Sequence, residues 1–433
     1  MSAPPPENNP NEAHPDDAVW VRHHAFVASK LRRNYAATLT HGVFGMTGFR
    51  LIYAPTIIPA YLFVQTGSAA AVGLGMALLQ LGGTLSPILS GARVESRNRI
   101  LPYAITVGSL MRVMVLALAL TAWFLEGPPL LLATLAIFLF LGFFQGAQRV
   151  AFQMLMAKLI PIAQRGRLQG VRNLLGGGIA AGLAWAAGTY FIEEEWFGNG
   201  YATTFLFAFI LTSIGLVVLQ FGIREPDAPT LRAPVPLRER FGQFRDLLAH
   251  RGFRAFVAAH GFASIARVGL PFWTIYVGQQ LGLSGALIGS LSLAYLASET
   301  LSNLAWGQIG DRHGFRIVFL GSMVFNLIGM VLLVTADGWW LHLAFVALGF
   351  GMSGWMMAAM TLVLEFGAHE DIPMRIALVT TVEGAVSSVG PIVAGLAIAA
   401  MGFMPLITAA FLSLTLALVV VLWRVSEPRK AAI

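Results

Sequence analysis

Six ionisable side chains stand inside long apolar stretches: Arg50, Arg112, Arg149, Arg267, Glu299 and Glu383. A charge in lipid is costly, and it marks a ligand site, a proton path or a buried pair. Arginine cannot escape burial by losing its proton, so every guanidinium needs an acceptor. Four cations face two carboxylates, and the surplus points to an anionic ligand bearing a carboxylate, phosphate or sulfate. Arg50 and Arg267 hold equivalent places on the first and seventh apolar stretches, as a clamp from two sides. The alternative is a permanent Arg267–Glu299 bridge with Arg50 on backbone carbonyls or water. Glu299 is the leading proton-coupling candidate and Glu383 the second, because desolvation and a nearby Arg push a carboxylate in opposite directions. Arg149, Gln145, Tyr53, Trp273 and Tyr276 complete the candidate binding set, the aromatic residues through an apolar face with a polar tip.

Other chemistries find no support. The chain has no Cys, which removes disulfides, thiolate nucleophiles and cysteine metal sites. There is no His-Glu-x-x-His, no carboxylate cluster and no Walker loop, so no metal, no cofactor, no ATP hydrolysis and no enzyme activity is expected. His41-Gly42 and His260-Gly261 recur at matching positions; a proton relay is one reading and helix packing the other.

The elements that must carry these side chains follow from composition. Of 433 residues 57% are hydrophobic and 11% charged, against about 25% charged in soluble domains; mean hydropathy is +0.72. The formal charge of +7 is unevenly placed. Lys and Arg are missing from 51–92, 113–148, 173–223, 268–311, 317–374 and 376–423. Each stretch holds two membrane helices of about 20 residues around a short turn. The expected spans are 36–64, 69–91, 101–125, 130–156, 169–192, 201–223, 254–281, 285–308, 316–335, 341–364, 377–399 and 403–423. Basic residues gather at one set of loops, which the positive-inside rule makes cytoplasmic together with both termini.

The expected organisation is a disordered tail at 1–33, a six-helix bundle at 34–223, a Pro-rich linker at 224–252, a second bundle at 253–424 and a tail at 425–433. The first span reads as an uncleaved anchor, without a signal-peptide core before it. The bundles repeat each other. His41-Gly42 matches His260-Gly261, Thr84-Leu85-Ser86 matches Thr300-Leu301-Ser302, and Leu141-Gly142-Phe143 matches Leu348-Gly349-Phe350. Pro55, Pro59 and Pro271 are expected to kink the first and seventh spans.

Gly307, Gly310, Asp311, Arg312, Gly314 and Arg316 follow the eighth span. This run resembles the loop signature of the major facilitator superfamily, and Gly91, Glu95, Arg97 and Arg99 form a degenerate copy in the first half. The resemblance implies an all-α membrane protein of twelve helices in two pseudo-symmetric bundles, with the first and seventh helices facing a central cavity. It implies a conformational lock in which Asp311 caps the eleventh helix and Arg312 pairs with Glu365. Gln145-Gly146 resembles the family's drug-exporter pattern, but Gly142 stands where that pattern has Arg. The reading is a secondary active transporter of a small organic anion or zwitterion, of the organic-acid or short-peptide class, working by proton symport. A proton-antiport exporter of amphiphiles and a non-transporting assembly factor are the alternatives. A monomer in a bacterial inner membrane is expected.

Overall fold

A computed structural model describes residues 15–95, 97–227, 244–366 and 371–425, and every regular element among them is helical. The N-terminal half holds α1 (Pro15–Tyr53), α2 (Ile57–Thr66), α3 (Ala69–Glu95), α4 (Leu101–Phe124), α5 (Gly127–Leu159), α6 (Ile162–Ala186) and α7 (Gly200–Gly222). A π-helical turn, Ala187–Ile192, extends α6. After α8 (Phe244–Ala249), the C-terminal half holds α9 (Arg251–Arg267), α10 (Leu270–Leu281), α11 (Gly285–His313), α12 (Phe315–Thr335), α13 (Leu341–Glu365), α14 (Ile372–Met401) and α15 (Met404–Arg424). Taking α1–α2 and α9–α10 as two broken rods, the halves have six rods each. Eleven rods are long and apolar enough to cross a membrane. The twelfth, α11, is a 29-residue helix whose Glu299 and serines lower its hydropathy.

Both breaks fall at proline. The chain leaves helical geometry at Ala54, with Pro55 next, and again at Val268 and Gly269, two residues before Pro271. Proline has no N–H to donate and its ring displaces the carbonyl four residues back. Arg50 and Arg267 therefore each lie in the last turn of a helix, where the unpaired carbonyls of a helix C-terminus favour a cation. The same local rule places one guanidinium beside each break.

Two segments are more ordered than their composition implies. The expected tail over 1–33 is helical from Pro15 onward. Residues 16–33 contain neither Pro nor Gly, and the helix is tied to the end of α7 at Arg33 and Asn34. Arg33 donates to the carbonyls of Gly222 and Phe221 at 2.8 and 2.9 Å, while Asn34 and Arg224 exchange two bonds. The expected linker over 224–252 likewise contains α8 and the start of α9. Just after α7, buried Glu225 accepts from the amides of Ile100 and Leu101 at 2.7 and 2.9 Å and from Lys158 at 2.8 Å. One carboxylate thus satisfies the start of α4 and the basic end of α5 together.

Within each half the rods pack as a bundle, and the halves meet chiefly through α3 against α14 and α6 against α11. Hairpin turns close one end of the molecule, the turn face, and longer basic segments the other, the loop face. The closest cross-half packing lies toward the turn face. The Gly188 and Gly289 backbones touch so closely that neither has room for a Cβ, and the same holds for Gly73 against Pro391 and for Gly395 against Ala69. Glu193 accepts from the Ala286 amide across the halves at 2.9 Å, and the Thr56 and Ser292 hydroxyls meet at 2.5 Å.

Candidate substrate cavity

A cavity of about 370 Å³ lies between the halves on the loop side of the Thr56–Ser292 contact. Arg50, Tyr53, Ala54 and Pro55 line it from the first broken rod, and Ser264, Arg267, Val268, Leu270 and Pro271 from the second. Met76 and Gln80 of α3 face Tyr295, Leu296 and Glu299 of α11, with Met352 and Met356 of α13 and Ser387 and Pro391 of α14. The wall is mainly apolar and adaptable, since methionine fits irregular shapes. Its charges sit in two groups.

The first group joins the halves. Arg50 Nη2 donates to Glu299 Oε1 at 2.9 Å, and Nη1 donates to Thr300 Oγ1 at 3.2 Å. The pair is 21% and 12% exposed, and both residues line the cavity. The second group is wholly in the C-terminal half. Arg267 Nη1 donates to Glu383 Oε1 at 3.0 Å, and its guanidinium lies 3.6 Å from the centre of the Trp355 ring. His260 stacks on Trp355 with ring centres 5.0 Å apart and lies 3.7 Å from Glu383. Arg267 Nε and the Tyr53 hydroxyl are buried without an acceptor. A cation held over an aromatic face and bonded to a carboxylate is fixed in place. One guanidinium therefore bridges the bundles, and the other is anchored to one of them.

Residues 256–433 match the family model described as Major Facilitator Superfamily. Over 89–92% of its length the chain superposes on solved transporters. A mutant form of the nucleoside transporter NupG is 14% identical, over 89% of this chain and 98% of that one, with a TM-score of 0.70. A D-xylose–proton symporter is 15% identical over 92% and 99%, with a TM-score of 0.69. The human organic anion transporter MFSD10 is 14% identical over 90% and 99%, with a TM-score of 0.65. The family match covers less than half of the chain, and the solved transporters are alike to it in fold. No curated protein matches it in sequence.

The pairing of charges in the cavity departs from both arrangements expected from sequence. Glu299 binds Arg50 rather than Arg267, and Arg267 takes Glu383 instead. Both cavity cations are thereby neutralised, so the surplus of positive charge is not at Arg50 or Arg267. Arg112 is buried outside the cavity, donating at 2.7 Å to the carbonyls of both Thr212 and Gly108. Arg149 is exposed on α5. Trp273 is buried beside a smaller void that it shares with Arg267 and Trp355. Tyr276 packs on Phe403 at 5.4 Å, and neither it nor Gln145 lines the cavity. His41 Nδ1 meets the Gly215 carbonyl at 2.9 Å, a packing contact, whereas His260 belongs to the anchored group.

The expected lock is unmade in this conformation. Asp311 and Arg312 are exposed, and no ion pair joins Arg312 to Glu365 among the described residues. Among the described residues Asp311 caps no helix; α14 begins at Ile372, and its N-cap residue Asp371 makes no side-chain cap. The rest of the signature has intramolecular roles. Gly314 has φ +89°, which ends α11 and starts α12 in a turn that other residues resist. The Phe315 ring occupies the space a Cβ on Gly310 would need, and Gly307 faces open space. Arg316 donates to the carbonyls of Val425, Val421 and Leu422 at the end of α15. The Glu95 side chain lies outside the described residues, and Gly91 is described only as part of α3.

Sequence reasoning passed over Met76, Gln80, Met352, Met356 and Ser387. Gln80 carried a signal, being an amide inside an apolar span. The methionines carried none, because a lipid-facing methionine looks the same in sequence.

Proposed function

We propose that this protein is a secondary active transporter that carries a small organic anion or zwitterion with an apolar body, together with a proton, into the cell by alternating access. The observation that carries the reading is the Arg50–Glu299 bridge between the halves in the wall of the cavity. A substrate carboxylate has the chemistry to replace Glu299 at Arg50. A carboxylate displaced into an apolar cavity without its cation is stable only when it takes a proton. The loaded cavity then holds anion, guanidinium and neutral acid, the same net charge as the empty one. Release reverses the exchange, so anion and proton travel as a pair.

The apolar wall, rich in Met and Tyr, supports a substrate with a hydrophobic or aromatic body. The pairs at Gly188–Gly289 and Thr56–Ser292 support a state closed on the turn face, and the unmade lock supports opening on the loop face. With the positive-inside rule, the loop face and both termini are cytoplasmic in a bacterial inner membrane. A monomer suffices, since both halves of the site are in one chain.

The test is uptake of a panel of labelled organic acids, zwitterions and short peptides into liposomes carrying the purified protein, with and without an imposed pH gradient. Uptake of one class should rise with an inward proton gradient. Glu299→Gln should abolish that dependence while leaving exchange of substrate for substrate. Full pH dependence in the variant overturns the coupling role of Glu299, and flux in the opposite sense makes the protein an exporter.

A further inference from the structure

The spans of the N-terminal half carry Arg50, Arg112, Arg149 and Arg172 but not one Asp or Glu. Arg50 finds its carboxylate in the other half, and Arg112 is satisfied by two backbone carbonyls. Arg149 and Arg172 have neither solution. Arg149 is exposed on α5 and makes no hydrogen bond or ion pair among the described residues. Arg172 on α6 lays its stem against Gly42 and its guanidinium 5.3 Å from the centre of the Phe152 ring, with Nε buried and lacking an acceptor. Phe152 follows Arg149 by three residues on α5, the spacing that puts two side chains on one helix face.

Resting on the transporter reading, we propose that Arg149 and Arg172 form a docking site for the anionic group of the substrate, separate from the cavity and on its loop side. Two guanidiniums that cannot deprotonate stand near one another without a counter-ion among the described residues, and an anion supplies it. The path onward is short. Gly177 packs on Thr300 and the Arg50 guanidinium, and it follows Arg172 by five residues, about 7 Å along the helix. Arg165 and Arg167 lie one further step toward the loop face on the same helix. Basic residues thus follow one another along α6 from the loop face toward the Arg50–Glu299 bridge. A charge of one sign between low-dielectric walls concentrates the opposite ion and speeds its arrival.

Binding kinetics in detergent test this with benzoate, benzenesulfonate and phenylphosphonate as probes and benzamide as the uncharged match. The anions, and not benzamide, should bind. Arg149→Gln and Arg172→Gln should each slow association roughly tenfold at low salt and flatten its salt dependence, as loss of a steering charge does. Arg149→Lys should keep most of the rate. Arg50→Gln should instead speed dissociation. Thermal unfolding without ligand checks that each variant is folded. If Arg50→Gln weakens binding but the other two variants associate at the original rate and salt slope, the docking site is wrong and the transporter reading stands. If no arylanion binds the unmodified protein, the docking site is wrong, and the uptake panel decides the transporter reading separately.

Discussion

At the scale of single residues, the same side chain at similar depth does three different jobs. Arg50 bridges the halves, Arg267 is anchored beside Trp355, and Arg112 is tied to carbonyls within one half. Depth and type were legible in the sequence because apolar spans isolate a charge. Partners were not, because they depend on how each helix is rotated and on which rods of the other half face it. The lack of acids in the N-terminal spans was readable, and it required a carboxylate for Arg50 to come from elsewhere. The roles predict different failures. Arg112→Lys loses the fork that reaches two carbonyls at once and should destabilise the protein by about 1–3 kcal/mol. It should leave KM for transport unchanged within about twofold, since Arg112 does not line the cavity. Thermal unfolding and uptake kinetics on one preparation measure both. A large rise in KM with normal stability would move Arg112 into the binding site.

At the scale of elements, the breaks between α1 and α2 and between α9 and α10 were legible, since Pro55 and Pro271 force them wherever the chain runs. The lock was legible as a motif but not as a state. A motif reports which contacts a chain is able to make, whereas Asp311 and Arg312 are exposed in this arrangement of the halves. Helix contacts across the interface set that arrangement. Gly188, in the π-helical turn ending α6, lies against Gly289 of α11. Each side of this contact belongs to a different bundle, so a side chain there need not disturb either fold. Gly188→Val should push the turn-face ends apart and shift the population toward opening on that face. Single cysteines placed along α6 and α11 should then label faster from the turn side and slower from the loop side. Unchanged labelling would show that the close approach does not control which face is open.

At the scale of the whole molecule, alternation requires that the two bundles move against each other while each stays intact. The internal ties are dense where that demands it. Glu225 joins α4, α5 and the end of α7, Arg316 joins α12 to α15, and Arg267, Glu383, His260 and Trp355 join α9, α13 and α14. Between the bundles the polar ties among the described residues are few: Arg50 to Glu299 and Thr300, Thr56 to Ser292, and Glu193 to Ala286. Turning the Thr56–Ser292 contact into a covalent one tests the motion directly. The two oxygens are 2.5 Å apart, close to the geometry in which a bond of about 2.0 Å between sulfurs can form. The chain has no Cys of its own, so Thr56→Cys with Ser292→Cys gives one possible intramolecular bridge. Oxidation should reduce flux to the level of empty liposomes, and a reductant should restore it. Because the bond lies on the turn side of the cavity, the bridged protein should still bind arylanions from the loop side with nearly unchanged affinity. Flux that survives complete bridging would mean that the halves do not separate at this contact, and the rocking of one bundle against the other would no longer explain how the cavity changes sides.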